Sequence, residues 1–156
     1  LRYTKEETEL INRTARSWTK PPLVYRLISK TYRGQKLRIL DYGAGPKALW
    51  TLWLRGQGFD VTAYDIAANQ NHLHDSKALN KHYDVVVASN VVNVQPSRVL
   101  VRKVLKELMA GKTVYFNYPS EPHKSDMSIG EVELLAKRLF SEVKHVGTIF
   151  ICKNSQ

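Results

Sequence analysis

The stretch from Leu37 to Asp65 limits what this chain can fold into more than any other part of it. It runs Leu-Arg-Ile-Leu-Asp-Tyr-Gly-Ala-Gly-Pro, then an apolar-periodic run from Lys47 to Leu54, then Gly-Gln-Gly, then Phe-Asp-Val-Thr-Ala-Tyr-Asp. The pattern predicts strand, glycine turn, helix, turn and strand, with an acid closing each strand. Two parallel strands joined by one helix make a βαβ unit. Gly43 and Gly45 allow backbone to approach a ligand without side chains in the way. Asp65 follows Asp41 by 24 residues, about where such units place a carboxylate on a ribose. The competing reading is a βαβ unit with a tight turn and no ligand.

Two kinds of cofactor use this geometry. Gly43-Ala44-Gly45-Pro46-Lys47-Ala48 formally fits the dinucleotide fingerprint G-x-G-x-x-[GA]. That fingerprint serves a pyrophosphate held by backbone N–H groups at a helix N-terminus. Pro46 removes one of those groups. Asp41 would bring a carboxylate close to the phosphates, and like charges repel in a partly dry site. S-adenosylmethionine (SAM) reverses that sign, because it carries a sulfonium, an ammonium and a ribose diol but no phosphate. Asp41 then suits the ammonium and Asp65 the diol, each bond contributing roughly 1.5–3 kcal/mol.

Asp41-Tyr42-Gly43-Ala44-Gly45 resembles motif I of class I SAM-dependent methyltransferases, D/E-x-G-x-G. The resemblance implies a cofactor site made of Asp41, Tyr42, Gly43, Gly45, Asp65 and Ile66, with Asp65 as the ribose-binding acid. Lys47 stands where the family often has a third small residue, and it is expected to be solvated. By the same resemblance Asp75 and Ser76 are expected at the adenine, since they precede the next strand by the family's spacing.

At 156 residues the chain is expected to form one domain, with residues 1–34 as a helical cover and 35–156 as a Rossmann-like core. No run of 18 apolar residues exists, so no membrane span and no membrane partner are expected. No signal-peptide pattern opens the sequence, and the one cysteine, Cys152, has no internal partner for a disulfide. A cytoplasmic setting fits, the host cytoplasm if the protein is phage-encoded. Net charge is +10 and the pI about 9.8, which makes nucleic acid a candidate partner or, failing that, a solvated basic surface. Nothing in the sequence sets an oligomeric state.

Thr4 to Arg16 is predicted as a helix opened by the capping box Thr4-x-x-Glu7, and Pro22 to Tyr32 as a second, with Leu23, Val24, Leu27 and Ile28 inward. In the family such helices cover the cleft, which singles out Tyr3 and Trp18, whereas Tyr25 is expected to pack on the sheet edge. Leu49, Leu52 and Trp53 are expected on the sheet face of the central helix. The polar segment after Asp65 leaves a third strand brief or degenerate. His72 and His74 lack further ligands at metal spacing and are expected at the surface.

Asp84 to Ser89 predicts a central parallel strand, so Ser89, Asn90 and Asn93 point toward cofactor or substrate. Pro96 to Met109 predicts a helix with Val99, Leu100, Val104, Leu105 and Leu108 inward. Thr113 to Asn117 follows as a strand, and Asn117-Tyr118-Pro119-Ser120 as a rim loop continued by Glu121 to Lys124. Ser128 caps a last helix, and Glu142–Val146 and Thr148–Cys152 form a hairpin over Gly147.

The fold class that follows is α/β, a Rossmann-like doubly wound, mostly parallel sheet with an antiparallel last strand, shortened around strand three and preceded by two helices. The function implied is SAM-dependent methyl transfer by direct displacement, to an unidentified acceptor that includes nucleic acid among the candidates. Asn90, Tyr118 and His123 are the catalytic candidates. The [DNS]-P-P-[YFW] tetrapeptide and the cysteine nucleophile of base methyltransferases are both missing. The form Val91-Val92-Asn93-Val94 followed by a helix resembles methyltransferase-like proteins encoded beside DNA phosphorothioation genes and small phage proteins of similar build, a likeness that covers strand one through the helix after Asn93. The alternatives are a SAM-binding or nucleic-acid-binding module without catalysis and, further off, an NAD-dependent oxidoreductase.

Overall fold

The computed structural model describes residues 3–8, 20–120 and 124–155. Among them, helices α1 (Leu23–Thr31), α2 (Leu49–Gly56), α3 (Arg98–Leu108) and α4 (Ile129–Leu139) alternate with strands β1 (Arg38–Tyr42), β2 (Asp60–Tyr64), β3 (Tyr83–Ala88), β4 (Gly111–Asn117), β5 (Glu142–Val146) and β6 (Ile149–Lys153). The strands form one sheet in the order β2-β1-β3-β4-β6-β5. The first four are parallel, and β6 runs antiparallel to both neighbours. The predicted α/β fold with its antiparallel hairpin is therefore the observed one. No strand forms between β2 and β3, where residues 66–82 are two short 3-10 turns and loop.

Each central strand is buried on both faces, so the core divides by strand parity. Leu40, Tyr42, Val86, Ala88, Val114 and Phe116 pack against α3 and α4. Ile39, Val61, Val85, Val87 and Tyr115 pack against α1 and α2. Asp41 shares the parity of Ile39 and so faces the α1–α2 layer.

Packing of the two layers corrects three helix-face expectations. On α1, Leu23 is exposed. On α2, Leu49 and Leu52 are exposed, while Thr51 and Leu54 are buried. Ala48 is left-handed, with φ 46°, so the helix begins at Leu49 and its phase is set by a polar anchor, Thr51 Oγ1 donating to Asp41 Oδ2 at 2.7 Å. On α3, Val99 points to solvent and Val101 takes the buried position. The Thr4–Glu7 capping box forms in both directions, but the rest of that predicted helix, with Trp18, lies outside the described residues.

Candidate cofactor site

A cavity of about 460 Å³ opens at the carboxyl ends of β1, β2 and β3. That size suits a small-molecule cofactor. Its floor is the turn from Gly43 to Ala48. Tyr64, Asp65, Ile66 and Asn69 wall it beyond β2, and Ser89, Asn90, Val91, Val94 and Gln95 beyond β3. Tyr3, Pro22, Tyr25 and Trp50 complete the lining. Tyr3 holds its place by donating to Gln95 Oε1 at 2.7 Å, and Lys103 Nζ lies 5.1 Å from the centre of its ring.

The turn is built for close approach. Gly43 has φ +77°, and a Cβ there would lie 2.4 Å from Val91 Cγ2. The Gly43 and Ala44 amides both donate to Tyr64 O, at 2.8 and 3.0 Å. The Gly45 amide donates to Asp65 Oδ2 at 2.7 Å, and the Ala48 amide to Gly45 O at 3.2 Å. Pro46 has no amide hydrogen. The Gly43, Ala44, Gly45 and Ala48 amides are thus spent within the protein rather than offered to a phosphate.

Three carboxylates were expected at this rim, and only one is there. Asp65, just beyond β2, lines the cavity; its Oδ2 takes the Gly45 amide, and its Oδ1 takes the Ile66 amide at 2.7 Å and Asn69 Nδ2 at 3.2 Å. Asp41 is level with Ala63 in the sheet register, two residues short of Asp65, or about 6.6 Å lower along the strands. It is fully buried, accepting from Tyr25 Oη at 2.7 Å and Thr51 Oγ1. Burial pushes its carboxyl up to about 6, against the pull of those two hydroxyls. Asp75 is held at the same level, its amide donating to Ala63 O at 2.9 Å. Its carboxylate faces outward to Lys81 Nζ at 2.8 Å, which lowers its pKa, and Ser76 is exposed. Neither Asp75 nor Ser76 lines the cavity.

The remaining candidates divide. Tyr42, Gly43, Gly45, Ile66 and Asn90 all line the cavity. Asn90, left-handed at φ 55°, is locked to Asn117: its amide donates to Asn117 Oδ1 at 2.6 Å and its Oδ1 accepts from Asn117 Nδ2 at 2.7 Å. Asn93 is buried away from the cavity, with its Oδ1 unpaired among the described residues. Tyr118 is also fully buried, its hydroxyl donating to Met127 O at 2.6 Å, so it is a core residue of the β4–α4 connection rather than a rim base. His123 lies outside the described residues. Lys47 is exposed at the cavity edge, as expected.

Sequence reasoning missed Tyr64, Asn69 and Gln95. Desolvation, Glu107 and Asp65 push the Tyr64 hydroxyl up to about 12. Asn69 stood four residues after Asp65, which was a usable signal, whereas Gln95 reaches the site only through the 3-10 turn Val92–Val94. Among the described residues, no cluster of three or more His, Cys, Asp or Glu could hold a metal, and no helix is long and apolar enough to cross a membrane.

The model of a methyltransferase domain family matches residues 11–148. The chain belongs to that family. Its fold is that of several solved methyltransferases. A TehB-like SAM-dependent methyltransferase from Corynebacterium glutamicum superimposes with a TM-score of 0.63 at 15% identity, over 97% of this chain and 95% of that one. Magnesium protoporphyrin IX methyltransferase from Synechocystis PCC 6803, solved with bound SAM, gives 0.61 at 12% identity, over 96% and 90%. An O-methyltransferase family protein from Burkholderia thailandensis gives 0.58 at 10% identity; the match covers 85% of this chain but only 55% of that protein. No curated protein matches the sequence.

Proposed function

We propose that this methyltransferase domain binds SAM above the glycine turn and transfers its methyl group to an acceptor entering the same cavity, beside Tyr3 and Trp50. The observation that carries the reading is where the turn's amides go. A pyrophosphate needs several free N–H groups there, and Gly43, Ala44 and Gly45 have none to give. A cofactor with a ribose diol and no phosphate needs only the rim carboxylate. Asp65 Oδ2 carries a single hydrogen bond and can accept another from a hydroxyl. Tyr64 and Ile66 flank it with apolar surface for a base. Asp41 contributes from below: above pH 6 it is ionised, and its negative charge under the floor favours a cation over an anion in the cavity.

SAM brings an electrophilic methyl carbon to such a site. The chain's part is to align the acceptor and exclude water, which alone can supply several kcal/mol. Among the described lining residues the only fixed charges are Asp65 and Lys47, and no histidine, cysteine or glutamate is present. An acceptor that arrives with its own lone pair, such as an amine, thiolate or carboxylate, therefore suits the site better than one that must first lose a proton. The same poverty of bases, with Asn90 tied to Asn117, supports the second reading of a SAM-binding module without turnover.

The charge distribution bears on the acceptor. Between Glu9 and Asp60 the sole acid is the buried Asp41, while that span holds ten lysines and arginines. A polyanionic partner such as nucleic acid suits so basic a span. The narrower likeness to phosphorothioation-associated proteins supplies no acceptor, and none is proposed from it.

Calorimetry tests the cofactor assignment. SAM should bind, and Asp65→Ala should weaken it at least tenfold, the loss of about 1.5–3 kcal/mol for a charge-assisted hydrogen bond. NAD should bind far more weakly than SAM. Unchanged SAM affinity in the variant removes Asp65 from the site, and tighter binding of NAD overturns the cofactor. Release of S-adenosylhomocysteine with an acceptor separates an enzyme from a binding module.

A further inference from the structure

The loop that stands in for the missing third strand does something specific to the glycine turn. Two of its side chains reach across to the turn's carbonyl groups. His74 Nε2 lies 2.8 Å from Gly45 O, and Asn71 Nδ2 donates to Pro46 O at 2.7 Å. We propose that His74, seconded by Asn71, is a positioning residue for the cofactor: it fixes the turn from outside, in place of a neighbouring strand. The proposal rests on the cofactor site assigned above.

The hydrogen-bond pattern leaves one arrangement of both side chains. The Asn71 backbone N–H can only donate, and it points at His74 Nδ1 at 3.2 Å. Nδ1 is therefore the acceptor nitrogen, the proton sits on Nε2, and Nε2–H donates to Gly45 O. Asn71 Oδ1 accepts the Leu73 amide at 2.9 Å, which turns its NH₂ toward Pro46. The loop is itself anchored at two points, one on β2 and one just beyond it. Gln70 Nε2 donates to Asp65 O at 2.9 Å, and the Asp75 amide donates to Ala63 O.

The consequence falls on the residues that form the cavity floor. Gly45 O accepts from His74 and from the Ala48 amide, while the Gly45 amide is held by Asp65. Gly45 is thus fixed at both ends of its peptide units, between the ribose candidate on one side and the left-handed Ala48 that starts α2 on the other. β2 is an edge strand, so no further strand stiffens this corner of the sheet. His74 is half-buried, and the expectation of an ordinary surface histidine holds for His72 alone.

The test compares His74→Ala with His74→Gln, whose side-chain amide can still donate from about the position of Nε2. Two readouts are taken on folded protein: the SAM dissociation constant by calorimetry, and hydrogen–deuterium exchange of residues 43–48 without ligand. His74→Ala should raise the dissociation constant about fivefold to tenfold, as expected for one lost hydrogen bond acting on the site, and speed exchange in 43–48. His74→Gln should restore both to within about twofold of wild type. Equal SAM affinity in wild type and His74→Ala overturns the proposal, and so does a glutamine variant as impaired as alanine. If the wild type itself fails to bind SAM, the cofactor reading falls. Exchange then still judges the brace: faster exchange in His74→Ala alone supports it, and unchanged exchange overturns it whatever the protein binds.

Discussion

Asp41 offers the most direct test of the physical reasoning, because a fully buried acid must leave a mark on stability. Its carboxyl is raised from 3.8 to about 6, with desolvation as the largest cause. In the unfolded chain the proton leaves first, so between these values the native state binds more protons than the unfolded state. Stability is then greatest below pH 3.8 as far as this group is concerned, falls as pH rises toward 6, and levels off above it. The full difference corresponds to about 3 kcal/mol, and close to half of it, about 1.4 kcal/mol, falls between pH 5 and pH 7.5. Asp41→Asn keeps the shape, can still accept from Tyr25 and can donate to Thr51, and does not titrate. Urea unfolding of both proteins at pH 5 and pH 7.5 gives the double difference, in which groups common to the two proteins cancel. The wild type should lose about 1–1.5 kcal/mol more than the variant across that interval. Equal pH dependence in the two proteins, or a steeper fall in the variant, would refute the claim that this carboxylate is buried under the turn.

Two further outcomes bear on the site and its surroundings. Gly43→Ala should lower the urea midpoint by the equivalent of about 2–5 kcal/mol, combining the left-handed backbone with a Cβ driven into Val91; a shift under about 0.5 kcal/mol would remove the close approach from the argument. If the acid-poor span from residue 10 to 59 meets a polyanion, binding to duplex or single-stranded DNA should fall steeply between 50 and 200 mM salt. A flat salt dependence would leave the net charge of +10 as a matter of solubility.

The parts of this protein legible in its sequence are those governed by local rules. Two short strand-like runs, two glycines and one apolar-periodic run between them define a βαβ unit by local pattern, so β1, α2, β2 and the turn between them stood within a few residues of their predicted places. Ser128-x-x-Glu131 carries the capping-box signature, and it caps α4 here. Asp65 could be placed at the rim because it closes a predicted strand 24 residues after Asp41, where βαβ units put a ribose-binding acid.

What the tertiary structure decided concerns level and phase. Asp41 and Asp65 look equivalent in the sequence, as acids closing two strands. Register puts Asp41 beside Ala63, and parity turns it into the helix layer, so one acid meets the cavity and the other lies beneath it. The phase of α2 follows from Thr51 reaching that buried acid, which no hydrophobic pattern encodes. The loop from Ile66 to Asp75 carried no periodicity, and its meaning lies in partners some 25 residues away: Pro46 for Asn71 and Gly45 for His74. Spacing along a chain fixes which residues can share an element. Only the packed sheet fixes how far along its strand each one stands and which way it faces.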